Sequence, residues 1–374
     1  RYHHLPLTDL PELAELAPYV ADWIAHTEYD DYWRAAAPRE HYEKISAPAL
    51  NFGGWYDLFL GGTLENYLGM KTRGKGEAAR QQRLVIGPWA HGYNGGFYAE
   101  RNFGMLAHDG VADVTAQQIR FFDYWLKGEA NGLEQEKPVR LFIMGPDIWR
   151  DEDDWPLPDT DYQSWFLHSG GQASTATGDG TLSRQAPAPT EPADSYCYDP
   201  HDPVPGLFVG ANAGPRDQQQ VEARADVLCF TSDALATDLE VTGPVRLVLY
   251  VSSSARDTDF TGKLVDVYPD GRAMILTDGI LRARYREGTE RQVLMTPGET
   301  YRLEIDLVAT ANVFARGHRI RLEVSSSNFP RFDRNTNTGG TIAAETDRDF
   351  VVATNTVLHD QAHPSMLILP VIER

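Results

Sequence analysis

Gly53-Gly54-Trp55-Tyr56-Asp57 and Gly87-Pro88-Trp89-Ala90-His91 are the two stretches of the chain that decide its fold. Each stretch follows a short apolar run, 49–52 in the first case and 83–86 in the second, which is typical of a buried strand. Helices are predicted after them over residues 58–70 and 114–126. This alternation of strand and helix indicates an α/β layer built on a parallel sheet.

After Gly132 the apolar residues recur with a period of two, which predicts short strands separated by turns. The predicted strands are 139–144, 163–167, 245–251, 264–268, 301–305 and 320–324. Many short strands at this spacing indicate an all-β sandwich or jelly roll. The stretch from about 171 to 217 is rich in Gly, Ala, Pro and Asp, so we expect a long irregular excursion there. Its anchors would be Tyr196, Tyr198, Leu207 and Phe208.

The first 40 residues are rich in aromatic and acidic side chains, and their apolar residues have helical spacing. The spacing is seen in Leu10, Leu13 and Leu16, and again in Tyr19, Trp23, Tyr29 and Trp33. These residues predict helices that cover another part of the molecule.

Composition narrows the class of protein. A chain of 374 residues exceeds what one hydrophobic core usually organises, so we expect two or more domains. The formal net charge of −20 argues against nucleic acid and anionic membranes as partners. The two cysteines, Cys197 and Cys229, lie in no metal-binding spacing and are interpreted as free thiols. The sequence leaves the cellular compartment open.

Asp57 and His91 have the placement expected of the acid and the base of a catalytic triad. They follow consecutive parallel strands and lie 34 residues apart, so their side chains should meet at one edge of the sheet. Two simpler interpretations stay open when each residue is taken alone. Asp57 would be a preferred N-cap for the following helix, and His91 would be an ordinary turn residue.

A nucleophile does not accompany these two residues. The chain contains no Gly-x-Ser-x-Gly elbow, and the serine triplets at 252–254 and 325–327 lack flanking glycines. We therefore expect the chain to be the C-terminal part of an enzyme whose serine lies in a preceding segment.

Several segments resemble the cocaine-esterase-like (CocE/NonD) hydrolases, relatives of the X-prolyl dipeptidyl peptidases. The segments are 29–33, 51–57, 83–92, 259–271 and 326–335. The resemblance implies the C-terminal part of an α/β-hydrolase fold, with the remnant of a helical cap before it and a β jelly-roll domain after it. The corresponding ranges are 1–40 for the end of the cap, 41–135 for the α/β part and 136–374 for the jelly roll.

The resemblance also implies roles for single residues. Asp57 would be the triad acid and His91 the triad base, while Phe59 would line the acyl pocket. Trp55, Trp89 and Phe208 are the further candidates for substrate binding. No metal or organic cofactor is implied.

The implied substrate is a small-molecule ester or amide with an apolar or aromatic acyl group. Relatives that hydrolyse α-amino-acid esters carry carboxylates just after the triad acid, whereas this chain has Leu58-Phe59-Leu60. A β-lactam side-chain acylase and an X-prolyl dipeptidyl peptidase stay as alternative substrate classes. The competing function is a jelly-roll module that binds carbohydrate or another ligand without catalysis. The expected partners are the N-terminal segment of the same protein and a second copy in a homodimer.

Overall fold

The computed structural model describes residues 3–207 and 214–374. Phe208, a predicted substrate-binding residue, lies outside these ranges, and so do the side chains of Glu12 and Leu13 within the first helix. The helices are α1 (Pro11–Leu16), α2 (Tyr19–Ala25), α3 (Asp31–Ala36), α4 (Leu60–Arg73), α5 (Glu77–Arg80), α6 (Val114–Lys127) and α7 (Gln219–Glu222).

A four-stranded small sheet forms the α/β part of the molecule. Its strands, in spatial order, are β1 (Leu50–Tyr56), β2 (Arg83–Ala90), β3 (Val139–Ile143) and β4 (Ile148–Glu152). The first three strands are parallel to one another, and β4 runs antiparallel to β3. Because β1 and β2 are parallel neighbours, the residues after their last positions lie at the same edge of the sheet. The α/β layer that the sequence predicts is confirmed.

An eleven-stranded large sheet forms residues 161–374, which we call the β-rich region. Its strands are β5 (Asp161–His168), β6 (Thr181–Ser183), β7 (Asp194–Tyr198), β8 (Leu228–Thr231), β9 (Leu239–Ser253), β10 (Asp259–Val267), β11 (Ala273–Arg282), β12 (Tyr301–Phe314), β13 (Arg319–Ser325), β14 (Ala353–Leu358) and β15 (Met366–Ile372). The described pairings between these strands are antiparallel except for one parallel bridge between β6 and β8. The long strand β9 pairs with β12, β14 and β15.

The structure corrects two assignments made from the sequence. Strand β3, which the two-residue period assigned to the all-β part, hydrogen bonds to β2 in the small sheet. A period of two marks any strand and does not say which sheet the strand joins. The stretch 171–217 is also less irregular than expected, because β6 and β7 lie within it. Tyr196 and Tyr198 are buried there, as predicted for anchors.

The two sheets are in direct contact. The backbone amide of Met144, just after β3, donates to the carbonyl of Ala311 in β12 at 2.9 Å, and the amide of Val313 donates back to Met144 at 2.9 Å. One hydrophobic cluster contains residues of both sheets, among them Leu84 of β2 and Leu249 of β9. The α/β part and the β-rich region therefore share a core.

The first three helices rest on the β-rich region at two places. Near the start of the chain, the amide of Thr8 donates to the carbonyl of Ala343 at 3.0 Å. Between α2 and α3, the amide of Tyr29 donates to the carbonyl of Thr289 at 2.7 Å. In the described part of the chain, every helix is too short or too polar to cross a membrane.

Candidate active site

Asp57 immediately follows β1, at the carboxyl edge of the small sheet. One carboxylate oxygen, Oδ1, accepts a hydrogen bond from the backbone amide of Phe59 at 2.7 Å. A helix N-capped by Asp57 would begin at Leu58, whereas α4 begins two residues later, at Leu60, with Phe59 at the N-cap position. Asp57 thus closes the turn before the helix, and its second oxygen stays available for another partner.

His91 immediately follows β2 and supplies that partner. Its Nδ1 lies 3.3 Å from Oδ2 of Asp57. The Asp57 side chain is 20 % exposed, while the His91 side chain is 51 % exposed. A distance of 3.3 Å is long for a hydrogen bond to a charged group, and such bonds tighten when a reacting complex forms. The pairing that parallel neighbours were expected to produce is present.

The orientation of the imidazole decides what His91 can do. When Nδ1 carries a proton and donates it to Asp57, the opposite nitrogen, Nε2, is a hydrogen-bond acceptor. Among the described residues, none makes a hydrogen bond to Nε2. The half-exposed ring therefore presents an open basic nitrogen at the sheet edge.

The glycines of the first motif allow β1 and β2 to end so close together. A Cβ atom placed on Gly54 would lie 2.2 Å from the carbonyl oxygen of Trp89, which no real Cβ tolerates. The register between the strands also shifts between Gly54 and Tyr56. A residue larger than glycine would separate the strand ends that carry Asp57 and His91.

Phe59 lies beside the imidazole. Its ring meets the His91 ring edge to face, with a centroid separation of 5.1 Å. Phe59 is 60 % exposed, and its neighbour Leu58 is also exposed. An exposed phenyl group beside the imidazole, with an exposed leucine before it in the chain, offers apolar surface that suits an apolar ligand group.

The two predicted tryptophans lie elsewhere. Trp55 and Trp89 are each 3 % exposed. The indole NH of Trp55 donates to the carbonyl of Phe142 at 2.8 Å, and that of Trp89 donates to the carbonyl of Ala107 at 2.7 Å. Both side chains are therefore packed with their polar atom satisfied, and the structure does not place them on the exposed surface at His91. Their role in substrate binding stays a prediction.

Tyr98 is a residue of this edge that the sequence did not single out. Its hydroxyl donates to the carbonyl of Pro88 at 3.0 Å, three residues before His91. Its ring also packs on Tyr56, the residue before Asp57, at 6.1 Å between centroids. Burial raises the pKa of the Tyr98 phenol, and Tyr93 and Asp57 raise it further, so the phenol stays neutral. No motif marks this tyrosine in the sequence.

The serine triplet at 325–327 is part of the packed interior and not of this edge. Ser325 and Thr261 share a hydrogen bond of 2.6 Å, Ser326 bonds to Tyr196 at 2.8 Å, and Ser327 accepts from the amide of Val204 at 2.8 Å. Over 3–207 and 214–374, no serine hydroxyl hydrogen bonds to His91. The described residues thus bring together an acid and a base without a nucleophile.

Comparison with known protein families gives two matches. Residues 131–368 match the model of the X-Pro dipeptidyl-peptidase C-terminal non-catalytic domain. Residues 1–93, which include Asp57 and His91, match the model of the X-Pro dipeptidyl-peptidase S15 family.

Among curated proteins, the chain is similar to cocaine esterase of Rhodococcus sp. (strain MB1 Bresler), with 46 % identity over 375 residues. The match covers 99 % of this chain and 64 % of that esterase.

Two solved structures are also similar to the chain. One is an aminopeptidase from a marine sediment archaeon, Thaumarchaeota archaeon, with a TM-score of 0.85, 25 % identity and coverage of 97 % of this chain and 61 % of that one. The other is an α-amino acid ester hydrolase, with a TM-score of 0.82, 28 % identity and coverage of 96 % and 61 %. The chain therefore spans less than two thirds of the length of these relatives.

Proposed function

Because the chain belongs to the cocaine-esterase-like (CocE/NonD) hydrolases, relatives of the X-Pro dipeptidyl-peptidases, we propose that Asp57 and His91 are the acid and the base of a serine-hydrolase triad. The proposed reaction is hydrolysis of a carboxylic ester or amide through an acyl-enzyme. The observation that carries the proposal is the Asp57–His91 pair, 3.3 Å apart, with Nε2 open at the carboxyl edge of a parallel sheet.

The nucleophilic serine is assigned to an N-terminal part of the protein. The relatives extend well beyond the matched length, since this chain spans 64 % of cocaine esterase. A serine hydroxyl placed next to Nε2 would give its proton to His91 as it attacks the carbonyl carbon. His91 would then pass the proton to the leaving group, and a water molecule would release the acyl group in the same way. Asp57 would orient the ring and stabilise its cationic form.

The β-rich region is proposed to be a jelly roll that begins after β4, with the end of a cap at residues 1–40. This boundary differs from residue 136 because β3 and β4 hydrogen bond within the small sheet. The model of the C-terminal non-catalytic domain matches residues 131–368, which supports a separate domain here although the match begins before β3 and includes β4.

An apolar or aromatic acyl group is the proposed substrate feature. Phe59 is exposed beside His91, Leu58 is exposed directly after Asp57, and neither supplies a carboxylate for a substrate ammonium group. A carboxylate cluster for an α-amino-acid ester is thus missing from the residues that directly follow Asp57. An ester, or the amide of a β-lactam side chain, suits this surface better than an X-prolyl peptide.

The Phe59→Ala variant tests the acyl surface. Removing the phenyl ring should lower kcat/KM for an aromatic acyl ester by about tenfold, because the acyl ring loses roughly 1–3 kcal/mol of apolar contact. For the matching acetyl ester, the logarithm of kcat/KM should fall by less than half as much as for the aromatic ester. Steady-state kinetics with the two esters measures the ratio. The proposed acyl surface is wrong if kcat/KM falls equally for both esters, since Phe59 would then act only by packing on His91.

Labelling with a fluorophosphonate serine probe tests the function itself. The probe reacts only with a serine that a working base activates, and intact mass spectrometry shows which polypeptide carries it. We expect label on the protein that contains the N-terminal part together with this chain. Label on residues 1–374 would contradict the assignment of the nucleophile, and no label on any species would leave the binding module as the better function.

A further inference from the structure

Residues 91–104, which we call the histidine loop, fold back on the end of β2. The amide of Tyr98 donates to the carbonyl of Arg101 at 2.9 Å, and the amide of Phe103 donates to the carbonyl of Gly96 at 3.0 Å. Tyr98 projects from this loop to the strand ends, where its hydroxyl donates to the carbonyl of Pro88. The ring contacts Tyr56 as well, so one side chain touches the strand end before Asp57 and the strand end before His91.

The backbone of the β-rich region closely approaches the same Tyr98 ring at Gly214. A Cβ atom placed on Gly214 would lie 2.1 Å from a ring carbon of Tyr98 and within 2.6 Å of two more. Only glycine allows the backbone of the β-rich region to come this close. Gly214 also has a φ of +34°, a conformation that other residues adopt at a cost.

Hydrogen bonds of Glu100 hold the histidine loop against the β-rich region next to the contact between Tyr98 and Gly214. The carboxylate of Glu100 accepts one hydrogen bond from Nη1 of Arg216 at 3.0 Å and one from the backbone amide of Asp217 at 2.5 Å. The next residue, Arg101, binds both carboxylate oxygens of Asp147, at 2.7 and 2.9 Å. Just after Tyr98, the histidine loop is thus attached both to the β-rich region and to the turn between β3 and β4 of the small sheet.

We propose that Tyr98 is a positioning residue that holds His91 in line with Asp57, and that Gly214 of the β-rich region keeps Tyr98 in place. The inference rests on the proposed function. The β-rich region, which matches a non-catalytic domain, would then take part in the reaction, because its backbone fixes the Tyr98 ring that contacts the ends of β1 and β2. Tyr98 touches neither the imidazole nor the substrate surface in this account, and it acts through Pro88 and Tyr56.

Two variants test the proposal in the protein that contains the N-terminal part. Tyr98→Phe keeps the ring and removes the hydrogen bond to Pro88, and should lower kcat by about fivefold with KM within about twofold. Gly214→Ala forces the ring to move, and should lower kcat by about tenfold or more, because a misplacement of about 1 Å at a catalytic group can cost up to about 100-fold in rate. The pH profile of kcat should change in both variants.

Tyr198→Phe is the matched control. Its hydroxyl likewise donates to a backbone carbonyl, that of Asn335, at 3.0 Å, but the side chain is fully buried in the β-rich region away from the histidine loop. We expect this variant to lose at least as much thermal stability as Tyr98→Phe while its kcat and pH profile stay those of the unaltered protein. If it loses kcat to the same extent, the effect of Tyr98 is one of general stability and the proposal is wrong.

A spectroscopic readout separates this inference from the proposed function. With ¹⁵N-labelled histidine side chains, the imidazole resonances of His91 should move in Tyr98→Phe and Gly214→Ala, and those of His201 should not. Unchanged kcat and unchanged His91 resonances in both folded variants would overturn the positioning role. If the unaltered protein hydrolyses no ester, the proposed function fails, while the His91 resonances still decide whether Tyr98 positions this histidine.

Discussion

Replacing His91 with Gln should lower kcat/KM for ester hydrolysis by about 10⁴-fold in the protein that contains the N-terminal part. The side-chain amide of Gln can still donate a hydrogen bond to Asp57, whose Oδ2 lies 3.3 Å from Nδ1 of His91. It cannot accept a proton from a serine and return it to a leaving group. The rate of fluorophosphonate labelling should fall with kcat/KM, because both reactions need the same activated hydroxyl.

His201→Gln is the control for this variant. His201 is similarly exposed, at 54 % of its side chain, and its Nδ1 lies 2.8 Å from Oδ1 of Asp199. The variant removes a histidine–aspartate pair of the same kind from the β-rich region, so kcat/KM should stay within about twofold. A His91→Gln protein that is folded and keeps more than a tenth of its activity would show that His91 is not the base.

Asp57→Asn separates orientation from proton transfer. The amide would still occupy the turn before α4, but it would remove the negative charge that stabilises a protonated imidazole. The expected loss of kcat/KM is smaller than that of His91→Gln by one to about two orders of magnitude. A loss equal to or larger than that of His91→Gln would indicate that Asp57 mainly holds the fold. Some structural effect is expected, because the carboxylate of Asp57 accepts a hydrogen bond from the amide of Phe59 at 2.7 Å.

The positions of Asp57 and His91 could be predicted because they depend on the order of strands and helices. Two parallel neighbours with a crossover helix between them must end at one edge, whatever their side chains are. The observed strands Leu50–Tyr56 and Arg83–Ala90 have the predicted order and direction. The simpler interpretation of Asp57 as the N-cap of the following helix is not what the structure shows, because Phe59 occupies the N-cap position of α4. One carboxylate oxygen of Asp57 instead closes the turn before the helix, and the other faces His91.

The directions of the tryptophan side chains could not be predicted in this way. A strand buried on both faces carries apolar residues at successive positions, so its pattern does not say which face each one occupies. The register shift between Gly54 and Tyr56 changes the alternation at the very residue in question. Trp55 and Trp89 are consequently found in the interior, where their NH groups reach carbonyls far along the chain.

Tyr98 could not be found for a related reason. The proposed role of Tyr98 depends on a contact with Gly214, which is distant in sequence and belongs to the β-rich region. Neither residue has an unusual local pattern, and only packing between the α/β part and the β-rich region brings them together. The sheet to which β3 belongs could not be predicted for the same reason. Its hydrogen bonds to β2, and not its two-residue period, place β3 in the small sheet.

The β-rich region also contains a buried charge network that the strand pattern hides. Lys263 of β10 and Glu323 of β13 face each other across paired strands and are each 2 % exposed. Nζ of Lys263 lies 3.3 Å from Oε2 of Glu323 and 3.1 Å from Oε1 of Gln218. Close by, Nη1 of Arg321 lies 2.6 Å from Oε2 of the buried Glu222.

The protonation of Glu323 couples this network to pH. Burial, and to a smaller extent the neighbouring Glu222, raise the pKa of Glu323 to about 7 against the attraction of Lys263. The folded state therefore keeps a proton that an unfolded Glu releases near its ordinary value of 4.5. A group with a raised carboxyl pKa makes the folded state lose stability as the pH rises from about 4.5 to about 7.

Lys263→Met should lower the free energy of unfolding by about 3–5 kcal/mol at pH 8, because a carboxylate would be left in the interior without its cation. The loss should be smaller at pH 5, where Glu323 is protonated in the folded state and needs no cation. Denaturant unfolding at the two pH values measures the difference. Lys75→Met, at an exposed position, should change stability by less than about 0.5 kcal/mol at either pH.

The double variant Lys263→Met/Glu323→Leu distinguishes a lost ion pair from a packing defect. With both charges removed, no buried carboxylate is left without its cation, so much of the lost stability should return and the pH dependence should weaken. Part of the loss should stay, because Oε1 of the buried Gln218 no longer accepts a hydrogen bond from Lys263. If the double variant is instead as unstable as Lys263→Met at pH 8, the methionine side chain itself does not fit between β10 and β13. A single variant whose loss is equal at pH 5 and pH 8 would likewise show that the Glu323 charge is not the cause. The two comparisons therefore assign the expected loss either to electrostatics or to the shape of the site.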